Sequence, residues 1–276
     1  MNFRMTSYAD NFEDVLLRRA FPDEASGFYI DFGAYEPVEH SVTKHFYDSG
    51  WRGVNIEPNP SPFARLEAAR PRDANLNIGL SDAEGVLTIY EAPASCWSVD
   101  QDILTGWFGA DPREIRAREI PVLTLAQVCE RHVPRGCTID FLKVDVEGHE
   151  REVVAGGDWN RWRPRVVVAE ANKPESWDPS LVAAGYHFVL FDGVNRFYVR
   201  DEDQHLISTL SVPVNAGDRF AIHGYMAVIN DLRERLALTD DLGPRAIALA
   251  RRLQRLADGH PRAASLARSV LRRLAG

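Results

Sequence analysis

Six ionisable side chains fall within one short segment, Asp140-Phe141-Leu142-Lys143-Val144-Asp145-Val146-Glu147-Gly148-His149-Glu150, and four of them, Lys143, Asp145, Glu147 and His149, converge at one strand end. Lys143 and Asp145 are two positions apart and share one face of a strand, whereas Glu147, Gly148 and His149 turn out of that strand into a helix. Groups of this kind rarely gather at a strand end for packing reasons, so the segment marks a site. Lys143 reads best as a salt-bridge strut. His149 and Asp145 are candidates for moving a proton, because an imidazole near its ordinary pKa is matched to neutral pH. A solvated histidine in a first helical turn is the competing reading of His149. Glu170 ends the next strand and joins them as a catalytic candidate; His45 and His223 are weaker ones.

A second constellation precedes this one. The crossover Tyr29-Ile30-Asp31-Phe32-Gly33-Ala34-Tyr35-Glu36 puts a glycine straight after a strand, the mark of a nucleotide crevice. A dinucleotide site needs three glycines so that pyrophosphate can sit on a helix N-terminus. Here there is one, flanked by Asp31 and Glu36, which would repel a pyrophosphate. They suit a ligand with positive charge, such as the ammonium and sulfonium of S-adenosylmethionine. Asp31 as a plain turn cap is the alternative. Glu57 ends the following strand, where an acid can accept both ribose hydroxyls. Ser81 and Asp82 follow a third strand and could face an adenine edge, or simply form a Ser-Asp turn. Asp145 and Glu170, with Asn172, are hard oxygen ligands that suit magnesium. No third carboxylate is expected beside them, so His149 is preferred as the base and no metal site is expected.

The elements that would carry these residues alternate between strand and helix. Strands are expected at 28–32, 53–57, 74–80, 85–91, 138–145 and 165–170, with a closing pair at 185–191 and 196–200 around Asp192-Gly193. Helices are expected over the first 20 residues, with Ser7 or Asp10 as cap, and over 42–49, 62–69, 123–132 and 148–156. Residues 93–119 read as an irregular insertion. The pattern predicts an α/β fold with a mainly parallel sheet and an antiparallel edge. Three regions follow: an N-terminal helical segment (1–25), a main domain (26–224) and a helical extension (225–276).

The 276 residues carry a net charge of −8, divided as −13 over residues 1–224 and +5 over 225–276. The acidic body argues against nucleic acid as a partner. In the extension, Ala263, Leu266, Ala267, Val270, Leu271 and Leu274 form an apolar stripe among arginines. It fits a helical hairpin on its own domain or a homodimer contact, with weak peripheral contact to anionic lipid as the lesser alternative. No apolar run is long enough to span a membrane. The first residues lack the pattern of a signal peptide, and the three cysteines, Cys96, Cys129 and Cys137, are scattered, so a reducing cytoplasm is expected.

Residues 140–150 resemble the signature of the FkbM family of S-adenosylmethionine-dependent methyltransferases. Tyr8-Ala9-Asp10-Asn11-Phe12-Glu13-Asp14 is similar to that family's opening segment, in which glutamine is usual where Asp10 stands. Ser41-Val42-Thr43, Gly50-Trp51-Arg52-Gly53, Asn55-Ile56-Glu57-Pro58, Trp162-Arg163-Pro164 and Phe191–Val199 resemble it too. Cys96-Trp97-Ser98 departs from it. The resemblance covers residues 7–220 and implies a class I methyltransferase fold with a seven-stranded sheet. It also implies O-methylation of a hydroxyl on a sugar, glycan or secondary metabolite. A non-catalytic module of the same fold is the alternative. Crossover and resemblance together give the cofactor set Asp31, Gly33, Ala34, Tyr35, Glu36, Ser41, Glu57, Pro58, Ser81 and Asp82.

Overall fold

The computed structural model describes residues 4–22, 25–92, 96–106, 109–171, 174–238, 248, 251–252 and 255. The chain divides into two units, Met1–Phe220 and Ala221–Gly276. In the first, strand β1 (Met5–Ser7) and helix α1 (Glu13–Ala20) lead into β2 (Phe28–Phe32), α2 (Lys44–Asp48), β3 (Arg52–Ile56), α3 (Pro60–Ala69) and β4 (Ala74–Leu76). After these come β5 (Gly79–Leu80), β6 (Gly85–Ala92), β7 (Cys96–Ser98), α4 (Gln101–Gly106), β8 (Arg116–Leu123) and α5 (Leu125–His132). The unit closes with β9 (Phe141–Val144), α6 (Glu150–Ala155), β10 (Val166–Glu170), α7 (Asp178–Ala183), β11 (Tyr186–Phe191), β12 (Asn195–Arg200) and α8 (Ile207–Leu210). The second unit is described chiefly through α9 (His223–Leu238); the apolar stripe at 263–274 lies outside the described residues.

The fold is mixed α/β. Its larger sheet has the order β11-β12-β10-β9-β2-β3-β4. Strands β10, β9, β2, β3 and β4 run parallel, and β12 pairs antiparallel with both β10 and β11. Helices cover both faces, so the central strands are apolar throughout rather than alternating. One face packs Ile30, Val54, Ile56, Leu142, Val144 and Val167. The other packs Tyr29, Phe141, Val166 and Val168 against Leu16, Leu17, Phe46 and Trp51. The chain winds outward from β2 to β4 and then restarts on the other side at β9. The carboxyl ends of β2 and β9 therefore meet at a topological switch point, where open α/β sheets bind ligands. Register puts Asp31 beside Lys143 there.

Three local expectations need correction. The first helix begins only after Phe12, whose left-handed φ of 65° breaks any helix running from residue 7. Instead of being capped by Ser7 or Asp10, α1 does the capping: Asp14 accepts from the Ser7 hydroxyl at 2.7 Å and from the Tyr8 N–H at 2.8 Å. The strand expected over 74–80 breaks at Asn77, whose amide donates to the carbonyls of Glu57 and Pro58 at 2.9 Å each. Its second half joins another sheet. The supposed irregular insertion belongs to that sheet, ordered β5-β8-β6-β7, with Ile89, Ile120 and Val122 as its small core. Inward Ile120 and Val122 alternate with exposed Glu119 and Pro121, the period-two signature of a half-buried strand.

Candidate active site

Gly33 is the point around which the site assembles. Its φ is 79°, and a Cβ there would lie 1.9 Å from the Asp145 carbonyl oxygen, so no other residue fits. The close approach brings the ends of β2 and β9 together. Lys143 fastens them: its ammonium donates to the Gly33 carbonyl at 3.0 Å and lies 3.1 Å from Asp145 Oδ2 and 3.6 Å from Asp31 Oδ1. Burial works against the ammonium, but Asp145 and Asp31 outweigh it and hold its pKa above the usual lysine value. Lys143 is the strut expected from the strand pattern. Asp31 is buried; its Oδ2 accepts from the Thr43 hydroxyl at 3.0 Å, and its Oδ1 has no hydrogen bond.

Glu57 closes β3 in a buried position, accepting from the Tyr35 N–H at 2.9 Å and the Asn59 N–H at 2.7 Å. Burial pushes its carboxyl up to about 7 against the pull of those two bonds. Each carboxylate oxygen has two lone pairs, so both keep room for a hydroxyl donor. Asp145, Glu147 and Glu170 form a second acidic group, with one oxygen from each lying within 4.8 Å of the others. Burial, then Asp145, raises Glu147 to about 7; the same causes raise Glu170 to about 10, with Glu147 contributing. Glu170 is thus protonated at neutral pH. The expectation that no third carboxylate stands beside Asp145 and Glu170 is overturned by Glu147; Asn172 lies outside the described residues. The set has the chemistry of a magnesium ligand group, but the Lys143 ammonium and the Glu170 proton already neutralise it in part.

A cleft of about 350 Å³ joins these parts. Gly33, Tyr35, Glu57, Pro58, Lys143, Asp145, Glu147 and His149 line it from the strand ends, and Leu87, Ile89, Trp97 and Ile120 line it from the smaller sheet. Of the other expected residues, Ala34 is buried in the crossover and Glu36 turns to Arg65, with Oε2 2.8 Å from Nε. Ser41 is buried beneath Arg70, which donates to its hydroxyl at 3.1 Å. Ser81 and Asp82 contact the site through His149: Ser81 Oγ is 3.2 Å from His149 Nε2 and from Asp82 Oδ1. His45 packs edge-on against Phe46 in α2, and His223 opens α9 in the second unit.

His149 has both ring nitrogens engaged, Nε2 by Ser81 and Nδ1 by Glu152 at 3.4 Å. Burial lowers its pKa, with Glu152 and Asp82 opposing. A second imidazole in the cleft was missed by sequence reasoning. His40 places Nδ1 2.7 Å from Asp10 Oδ1, and both residues line the cleft. They are separated by 30 positions in a loop-rich region, and no spacing signals the pair. His40, Tyr35 and Glu147 all hold positive φ, a concentration of backbone strain typical of working sites.

The sequence profile of the methyltransferase FkbM domain matches residues 31–220. The chain belongs to the FkbM methyltransferase family. Members are methyltransferases, and the resemblance noted in residues 140–150 is borne out. No curated protein matches the chain. In this FkbM methyltransferase the matched span runs from Asp31 to the end of the first unit, so the cleft is built almost wholly from family residues, with Asp10 outside the match.

Proposed function

We propose that the protein transfers a methyl group from S-adenosylmethionine to a hydroxyl of a sugar or glycan. The observation that carries the reading is the acid-lined cleft at the switch point, with a buried Asp31 oxygen that accepts no hydrogen bond among the described residues and a buried Glu57. Its carboxylates suit an ammonium and a sulfonium and oppose pyrophosphate, which disfavours nicotinamide dinucleotides. Glu57 would hold the ribose hydroxyls, and the crossover from Asp31 to Tyr35 would hold the amino-acid end. The seven-stranded order described above is the arrangement we assign to the class I methyltransferase fold.

When bound, the cofactor supplies a methyl group on a sulfonium for in-line displacement by an oxygen. The protein must orient the acceptor, keep water out and remove a proton. The apolar wall of Leu87, Ile89, Trp97 and Ile120 matches the carbon face of a sugar ring. Asp145, ion-paired to Lys143, lines the cleft and would accept a hydrogen bond from the acceptor, while Glu170 hydrogen-bonds to Asp145 from behind. Two imidazoles are candidates for the proton. His149 is neutral but has both nitrogens engaged. His40 is held through Nδ1 by Asp10, which leaves Nε2 without a partner among the described residues and suited to be the base. We assign deprotonation to His40 and orientation around Ser81 to His149.

The partners proposed are a sugar or glycan acceptor, not nucleic acid; a second copy of the chain or anionic lipid would meet the basic extension. The scattered cysteines agree with the cytoplasm, and no helix among the described residues is long and apolar enough to cross a membrane. The test offers methyl-tritiated S-adenosylmethionine with a panel of free sugars, glycan fragments and small phenols. Label in the sugars, reduced about 100-fold by His40→Ala but less by His149→Ala, is expected. Transfer to the phenols alone would contradict the sugar assignment, and a His40 variant of full activity would remove it as base.

A further inference from the structure

The amino-terminal edge of the sheet, opposite the cleft, holds a larger cavity of about 610 Å³. Its volume lies in the range of small-molecule sites. Arg52, Arg165, Arg200, Asp140, Ser26 and Thr138 are among its lining. Arg165 is tied on two sides, with Nη1 3.1 Å from Asp140 Oδ1 and Nε 3.1 Å from Asp203 Oδ1. Arg200 uses Nε on Asp203 and Nη1 on the Arg163 carbonyl at 2.7 Å, so its Nη2 has no partner among the described residues. Arg52 opens β3 and is exposed, and its guanidinium has neither hydrogen bond nor ion pair among the described residues.

Among the described residues, three guanidiniums thus share this edge with two carboxylates, leaving one positive charge in excess on a body that is otherwise strongly acidic. The carboxylates also fix the guanidinium planes of Arg165 and Arg200, so little rotamer entropy is lost when a ligand arrives. Ser26 and Thr138 add hydroxyl donors at the rim. We propose that this cavity is an oxyanion site that takes the phosphate group of a small molecule, with Arg52 and Arg200 as its main donors. A planar fork of N–H donors matches phosphate oxygens in pairs. A phosphate also presents more acceptor oxygens than a carboxylate to the convergent guanidinium and hydroxyl groups. The site is separate from the methyl-transfer cleft, and its test does not depend on the activity proposed there.

The experiment titrates the full chain with inorganic phosphate and with pyrophosphate by calorimetry in a phosphate-free buffer. It compares wild type with Arg52→Glu and Arg52→Lys. Arg52 supports no other residue, so both variants should fold; circular dichroism and thermal midpoint verify this. Saturable binding of one anion per chain is expected, weakened about tenfold or more by Arg52→Glu and much less by Arg52→Lys. Absence of saturable binding to wild type at millimolar concentrations would overturn the proposal, and so would equal affinity in wild type and Arg52→Glu.

Discussion

At the amino-terminal edge of the parallel strands, Arg165 lies 3.1 Å from both Asp140 and Asp203, and Asp140 also accepts from the Phe28 N–H at 2.9 Å. At the carboxyl edge of the same strands, Asp31, Glu57, Asp145, Glu147 and Glu170 share a single lysine. Both groups are largely buried, and both end the same three or four strands. One edge matches each buried acid with a guanidinium. The other leaves acids beside acids, and burial first, with like charge adding to it, pushes Glu57 and Glu147 to about 7 and Glu170 to about 10. Paired charges lock strand ends together. Unmatched charges cost stability and stay poised for a cation, and this contrast separates the structural edge from the chemical one.

The contrast breaks if removing an acid has the same sign at both edges. The largest effect is expected at the paired edge. Asp140→Ala strips one partner from half-buried Arg165 and an acceptor from Phe28, and should destabilise the fold by about 3 kcal/mol in denaturant titration. A loss below about 1 kcal/mol would make that network a surface feature. At the unpaired edge the sign should reverse. Glu170→Gln removes a crowded acid and should stabilise the protein by about 1–2 kcal/mol at pH 8, read as a higher thermal midpoint.

The pH dependence sharpens the same point. Carboxyls raised in the folded state bind protons that the unfolded chain has already lost. Their stabilising contribution is full below about pH 4.3, the ordinary value for a glutamate. It is lost as pH rises through about 7 for Glu57 and Glu147 and about 10 for Glu170. Wild-type stability should therefore fall between pH 7 and 10, and Glu170→Gln should flatten that fall. An unchanged slope would mean Glu170 ionises normally.

Much of this was legible beforehand, because the signals were local. The runs at 28–32, 138–145 and 165–170 read as strands of a parallel sheet, since helices on both faces remove any alternation. Gly33, Glu57 and Lys143 followed from their places at strand ends. What escaped was set by contacts distant in sequence. Nothing near Asp10 announces His40, and nothing near Glu147 announces Glu170; turns with positive φ at His40 and Glu147 aim both into the cleft. The smaller sheet was read only in part, through the strand at 85–91, for another reason. Its eight-residue strand β8 is exposed on one face and starts inside the stretch read as irregular, and the broken strand at Asn77 hid its first member. Glu36 and Ser41 share the crossover with true lining residues, but side-chain partners Arg65 and Arg70 draw them elsewhere.

The central claim is that the acid-rich edge holds S-adenosylmethionine through Glu57. Calorimetric titration of the wild-type chain with S-adenosylmethionine and with NAD tests it most directly, repeated on Glu57→Ala. The account predicts saturable binding of S-adenosylmethionine, none of NAD, and a loss of about 2–4 kcal/mol in the variant as two charge-assisted hydrogen bonds disappear. Tighter binding of NAD, or equal affinity for S-adenosylmethionine in wild type and variant, would contradict it.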